Sequence, residues 1–389
     1  MPRSPHRRVA GSSVPCDGGG SDASMTSFPR PVLRAIRRLL GALVVIVALF
    51  LALTPIGRYL VQAAWAEGQI LADRRPISGI VTDPKADQRV QRKLQLVLTA
   101  RDFAVDSVGL QAGESFTTYS RVAHDTLVLV LSGAYRDRLE PYTWWFPIVG
   151  RVPYKGFFDF GAAHKAAREL EARGYDAYLR PSAAFSTLGW FNDPLLSTTL
   201  RGDSAYLANT VIHELTHNTF YAPGQAVFNE SFANFVGSRG AAWFFRARGE
   251  PALAAECDAE WEDERAMGRF WDVLYASLDS AFQAHPESTA ERLVARDSVF
   301  AHVQALFTDS VLPALHTVGP HARIQLHLSN AVLLANRIYR TRLDLFDAVY
   351  AREGRDLRRT VQQVITLAKS RPDDPYGAVG DWVGERVSQ

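Results

Sequence analysis

Two imidazoles and a carboxylate stand within five residues of one another at His213-Glu214-Leu215-Thr216-His217. On a helix, positions i and i+4 lie one turn apart on the same face, so both rings can reach a single zinc ion. Glu214 then lies beside that ion, where a carboxylate can take a proton from a water. A hydrolytic zinc site needs a third protein ligand and keeps its fourth position open. Glu230, in Phe228-Asn229-Glu230-Ser231-Phe232-Ala233, is the candidate. The residues thus imply one Zn2+ per chain, held by His213, His217 and Glu230, with Glu214 as general base.

The competing reading is chance, because a pattern this short also occurs on solvated helix surfaces. The elements around it argue otherwise. Leu207, Ala208, Val211, Ile212 and Leu215 form an apolar stripe at helical spacing, which predicts a helix at least half buried. Asp203 or Ser204 can cap its start, and Pro223-Gly224 stops it soon after His217. A helical pattern resumes at Asn229, with Phe232, Phe235 and Val236 on one side. That puts Glu230 on the first turn of a second helix, able to fold back toward the imidazoles. Tyr154, Tyr221 and Tyr339 are candidates for the donor that would stabilise a developing oxyanion. Asn234, one turn after Glu230, is a candidate partner for a ligand imidazole.

The pairing of HELTH with NESFANF resembles the gluzincins, zinc peptidases whose ligands are His, His and Glu. The gap from His217 to Glu230 is shorter than in their well-known aminopeptidase branch. Beyond its N-terminus the chain is similar throughout to a bacterial family of predicted aminopeptidases, usually membrane-attached or lipoproteins. The runs that carry this resemblance are Gln62-Ala63-Ala64 with Gly68-Gln69, Trp144-Trp145-Phe146-Pro147-Ile148-Val149-Gly150, Tyr154-Lys155-Gly156-Phe157-Phe158, Ser186-Thr187-Leu188-Gly189-Trp190-Phe191-Asn192-Asp193-Pro194, and the zinc segment. The resemblance implies a zinc peptidase acting on peptide or protein substrates, with an aminopeptidase as its first reading. An aminopeptidase needs carboxylates for the substrate's free α-amino group, and Asp193 and the free carboxylates near the helix are candidates. No recognisable exopeptidase motif supports it, so an endopeptidase for cell-envelope proteins stays open. The reading from another class is a membrane-anchored scaffold with a relic metal site, for which Glu214 would not be required. Family members often carry cysteines at the positions of Trp145 and Arg151, and a lipid-modified cysteine near the N-terminus that this chain lacks.

The chain has 389 residues, 47% of them hydrophobic, enough for a sizeable core. Its 43 basic and 41 acidic side chains nearly balance, which gives no overall drive toward nucleic acid. Residues 1–30 read as disordered or as a mis-started segment. Arg30, Arg34, Arg37 and Arg38 precede an uncharged run at 39–57, long enough to cross a bilayer as a helix. No small-x-small cleavage site closes that run, so 31–58 reads as a signal anchor. The arginines would hold the N-terminus in the cytoplasm and send the rest outside the cytoplasmic membrane, in single-pass topology.

These elements predict an α+β, zincin-like body preceded by one transmembrane helix. Residues 59–389 form the metallopeptidase domain: 59–200 helical then β-rich, 201–240 the zinc-site helices, 241–389 helical. Within it, residues 59–104 read as mainly helical, 126–131 as a buried strand, 144–160 as a hairpin, 161–173 as a helix and 176–186 as a strand beside the site. Further helices are expected at 241–248, 252–284, 291–306, 324–350 and 357–369. The acidic run at 260–264 reads as a solvated face.

Overall fold

The computed structural model describes residues 30–122, 128–146, 150–182, 194–319 and 322–384. The expected motif at 186–193, with Asp193, lies outside the described residues, as do residues 1–29. Contacts divide the chain into residues 1–60 and 61–389.

In the first unit, α1 (Arg30–Leu53) holds residues 39–53 of the uncharged run, which breaks at Thr54, with Leu39, Val44 and Leu53 exposed at 71, 66 and 69%. Thr54 accepts a hydrogen bond from the Gly57 N–H at 2.9 Å and Pro55 takes the first helical position, so a new helix, α2 (Pro55–Ala72), starts at once.

In the second unit, the region expected to be mainly helical is split. After α2 come β1 (Arg75–Pro76), α3 (Ile77–Thr82) and α4 (Gln88–Phe103). Asp87 caps α4 by accepting from the Arg89 and Val90 N–H groups at 2.8 and 3.0 Å. Its buried stripe, Leu94, Val97 and Ala100, joins the main core. A short β2 (Thr118–Ser120) then pairs antiparallel with β1.

The strand expected at 126–131 is β3 (Val128–Tyr135), extending further toward its C-terminus. It is followed by β4 (Pro141–Tyr142), β5 (Trp144–Phe146), β6 (Gly150–Val152), β7 (Tyr154–Phe157), α5 (Phe160–Ala172) and β8 (Tyr175–Ser182). β3 pairs antiparallel with both β7 and β8, Ser132 standing opposite Tyr154 on one side and Tyr178 on the other. Directly opposed residues point to the same face, so Tyr154, Tyr178 and Arg180 share one face of this sheet. β5 and β6 form the expected hairpin, with Trp145 paired to Arg151.

A two-residue β9 (Leu195–Leu196) runs parallel to β2 and leads into helices that fill the remainder. These are α6 (Ser204–Thr219), α7 (Ala226–Ala247), α8 (Pro251–Gln283), α9 (Thr289–Leu306), α10 (Asn330–Arg340), α11 (Leu343–Arg352), α12 (Leu357–Ser370) and α13 (Pro375–Val383). Three expectations change. The helices read at 229–236 and 241–248 are one continuous α7. The single helix read at 324–350 is α10 and α11, broken where Arg342 adopts φ +50°. The acidic run at 260–264 is no solvated face: Trp261 is fully buried, Asp263 nearly so, and Glu264 pairs with Arg340 at 2.7 Å.

One core unites α4, α6, α7, α11 and α12, with Leu94, Val211, Phe232, Phe235, Phe346 and Val361 among its members. A smaller one packs Phe270, Leu274 and Leu278 of α8 against Val303, Phe307 and Leu333. Buried Asp176 of β8 fixes the sheet to the helices, accepting from Arg296 at 2.6 Å and from the Asn330 N–H at 2.8 Å.

Candidate metal centre

α6 starts where Asp203 accepts from the Tyr206 N–H at 2.8 Å, the cap expected from the sequence. Its apolar stripe is fully buried, and the opposite side carries His213, Glu214 and His217. Phe220 turns extended and ends the helix, and Gly224, at φ +77°, makes the turn into α7.

The register between α6 and α7 is set by residues too small to hold the helices apart. A Cβ on Gly237 would lie 2.4 Å from Asn209 Oδ1, 3.0 Å from the Asn209 carbonyl oxygen and 3.1 Å from His213 Cβ. One on Gly240 would lie 2.8 Å from the Ile212 side chain. Going up α6 from Asn209 to His217 corresponds to going down α7 from Gly237 to Glu230, so the two helices are antiparallel.

Each neighbour of Glu230 is fixed separately. Buried Asn229 accepts from the Ala222 N–H and donates to the Ala222 carbonyl, both at 2.9 Å, which clamps the connecting turn. Ser231 donates to the Ile338 carbonyl at 3.2 Å and accepts from the Thr341 N–H at 3.1 Å, tying α7 to the end of α10. Asn234 Nδ2 donates to Glu264 and to the Tyr339 carbonyl, each at 3.1 Å, so this amide nitrogen braces α7 against α8 and α10.

The structure brings the three sequence-predicted ligands together. His213 Nε2 and His217 Nε2 are 3.2 Å apart, and Glu230 Oε2 lies 3.4 and 3.6 Å from them. Ligands at zinc–nitrogen and zinc–oxygen bond lengths sit about 3.3–3.6 Å apart along the edge of a tetrahedron. The triangle therefore fits three corners of a tetrahedral zinc site. Glu214 is exposed on the same helix, and its charge acts on His217.

Electrostatics tie the three together. Burial works to raise the Glu230 carboxyl, but hydrogen bonds from His213 and His217, with their charges, outweigh it and hold it at about 2. Burial works to lower His217, while its hydrogen bond to Glu230 and the charges of Glu230 and Glu214 raise it above its ordinary value.

Of the three tyrosines named from sequence, Tyr221 is 59% exposed. Tyr154 is raised by burial and then by the charges of Glu230 and Tyr221. Burial and the Glu230 charge push Tyr339 up to about 12, against the pull of Arg180. Arg180 lies beside Tyr339, its guanidinium carbon 5.8 Å from the ring centre. Sequence reasoning missed Arg180, whose only signal was its place in an expected strand.

Tyr339 also lines a cavity of about 530 Å³ together with Arg180, Asn209, Asn234, Glu260 and Glu264; the triad residues are not in its lining, but Asn209 and Asn234 lie one turn from His213 and Glu230 on the same helices. Glu264 is held by Arg340 and Asn234. Glu260 has no hydrogen-bond or ion-pair partner among the described residues, and burial, then the charges of Asp203, Glu256 and Glu264, push its carboxyl up to about 7.

Compared with known proteins, residues 58–375 match a family described as "Putative aminopeptidase". No curated protein and no solved structure matches the chain.

Proposed function

Because the chain belongs to this aminopeptidase family, whose match spans most of its length, we propose that it is a zinc-dependent peptidase of the gluzincin type on a zincin-like body. His213, His217 and Glu230 hold one Zn2+. The observation that carries the reading is the triangle of ligand atoms with exposed Glu214 on the same helix.

A zinc ion held there would polarise the scissile carbonyl and bring a water's pKa toward neutrality. Glu214 takes the proton of the attacking water on its carboxylate and returns it to the nitrogen of the leaving amine. Arg180 stands beside the Tyr339 ring, and the protonated Tyr339 hydroxyl is the donor for charge growing on the carbonyl oxygen.

The adjoining cavity supports exopeptidase action. A carboxylate with no cationic partner inside a cleft favours a bound ammonium, and a substrate's free α-amino group supplies one. The apolar N-terminal helix supports attachment to the cytoplasmic membrane, with the peptidase on the outer side.

The test measures zinc content and peptide cleavage on one preparation of the full chain in detergent. Glu214→Gln is expected to keep its zinc and lose cleavage by about 10²–10⁴-fold. Glu230→Ala is expected to lose most of its zinc. A Glu214→Gln protein that cleaves at the wild-type rate overturns the mechanism, and a Glu230→Ala protein with full zinc overturns the ligand set. Acetylating the substrate's N-terminus separates exo- from endopeptidase: an aminopeptidase stops, an endopeptidase continues.

A further inference from the structure

A second and larger cavity lies elsewhere in the 61–389 unit, and none of the triad lines it. It is a groove of about 1140 Å³ where β1, β2 and the start of α4 meet the approach to α6. Its walls carry five cations, Arg75, Arg89, Lys93, Arg121 and Arg201, against two carboxylates, Asp73 and Asp87. The N-cap bonds of Asp87 occupy one of those carboxylates.

The cations are not equivalent. Lys93 is spent internally: its ammonium donates to the carbonyls of Leu200, Arg201 and Gly202 at 2.8, 3.2 and 2.6 Å. Burial and then the charge of Arg89 lower it from its ordinary value, which places a second cation close by. By contrast Arg75, Arg89 and Arg121 are exposed, and their guanidinium groups have no hydrogen bond or ion pair among the described residues. Three exposed guanidiniums line one cleft, and an oxyanion entering it meets an excess of positive charge. Guanidinium also matches phosphate as a planar, two-pronged donor.

The lining between the cations is apolar, with Ile80 and Leu200 buried and Val90 and Tyr119 half-buried. A small soluble anion makes no use of such a lining, whereas the headgroup end of a lipid does. The groove also starts at Asp73, immediately past α2 and only 20 residues along the chain from Leu53, the last residue of the membrane-length helix.

We propose that this groove binds the headgroup of an anionic phospholipid, with Arg75, Arg89 and Arg121 taking the phosphate and the apolar lining taking the first methylenes of the acyl chains. The proposal does not rest on the peptidase reading. It takes from the anchor reading only the nearness of a membrane, and fractionation of cells tests that separately.

The test is native mass spectrometry of the full chain in non-ionic detergent, with phosphatidylglycerol or phosphatidylcholine added in equal amounts. The wild type is expected to carry phosphatidylglycerol in preference to phosphatidylcholine. Arg89→Gln combined with Arg121→Gln should weaken phosphatidylglycerol binding by about tenfold or more and leave phosphatidylcholine binding unchanged. Arg37→Gln combined with Arg38→Gln, which removes cations of the N-terminal helix, should leave the groove's adduct in place. Should the first pair melt early, Arg75→Gln alone serves, with the same loss expected. Equal uptake of the two lipids, or phosphatidylglycerol binding undiminished in these groove variants, overturns the proposal. So does displacement of phosphatidylglycerol by an equal concentration of inorganic phosphate, which would mark a soluble-anion site.

Discussion

Among the residues, Tyr339 carries the most specific expectation after Glu214. Its phenol is pushed up to about 12 and therefore keeps its proton through any neutral working range. A donor to a developing oxyanion must do this, and the Arg180 guanidinium lies beside the same ring. Tyr339→Phe removes the donor but no proposed ligand. We expect kcat to fall by about 10²-fold or more with zinc content unchanged, read by steady-state kinetics beside metal analysis. An unchanged kcat would assign the donor elsewhere, Tyr154 being next. The two histidines were legible in the sequence because a helix converts a four-residue spacing into proximity, and Glu230 because the turn at Pro223-Gly224 starts a second helix just before it. Arg180 was not, because it reaches Tyr339 across 159 positions of chain, and only the pairing of β8 with β3 shows which face it joins.

Among the elements, the α6–α7 pair sets the triad's dimensions, and Gly237 is its spacer. The flexible Asn209 side chain can turn away from a new methyl group, but the Asn209 carbonyl at 3.0 Å and His213 Cβ at 3.1 Å belong to the helix or lie close to it. Gly237→Ala must therefore part the helices slightly at the level of His213. Alanine gains about 1 kcal/mol in helix propensity over glycine, offsetting part of an overpacking cost of about 1–3 kcal/mol. Stability should change little, while zinc affinity falls by about tenfold or more as His213 leaves the triangle. Competition with a chelator, alongside a melting curve, separates the two; unchanged affinity would mean that the triangle tolerates the shift. Both helices were legible from apolar spacing, the Asp203 cap and the Pro223-Gly224 turn. The break between α10 and α11 was not. Apolar spacing continues across it, and what favours the break is tertiary: Ser231 of α7 accepts from the Thr341 N–H there. The strands β1, β2 and β9 escaped for another reason, since two or three residues are too few to show a period of two.

For the whole molecule, the question is what covers α1. Twenty residues of it, Arg34–Leu53, are apolar enough to span a bilayer, and none of that stretch is buried within the protein. Leaving such a surface in water costs about 25 cal/mol for each Å², and a bilayer is the cover we propose for it. The basic residues flank it unequally: Arg30, Arg34, Arg37 and Arg38 lie at its N-terminal end, and Arg58 is the first after it. Basic flanks stay on the cytoplasmic side, so the peptidase unit is expected outside and still attached. Helix length and flanking charge were both plain in the sequence. A signal sequence near the N-terminus has the same length and hydropathy, so cleavage is read from where the mature protein fractionates. A reporter active only outside the cytoplasm, fused after Gln389, should give its signal in the membrane fraction. A fusion that is inactive and soluble contradicts the anchor reading. An active fusion released into the soluble exported fraction means that the helix is cleaved, and the groove at Arg75, Arg89 and Arg121 would then have to find its lipid without a tether.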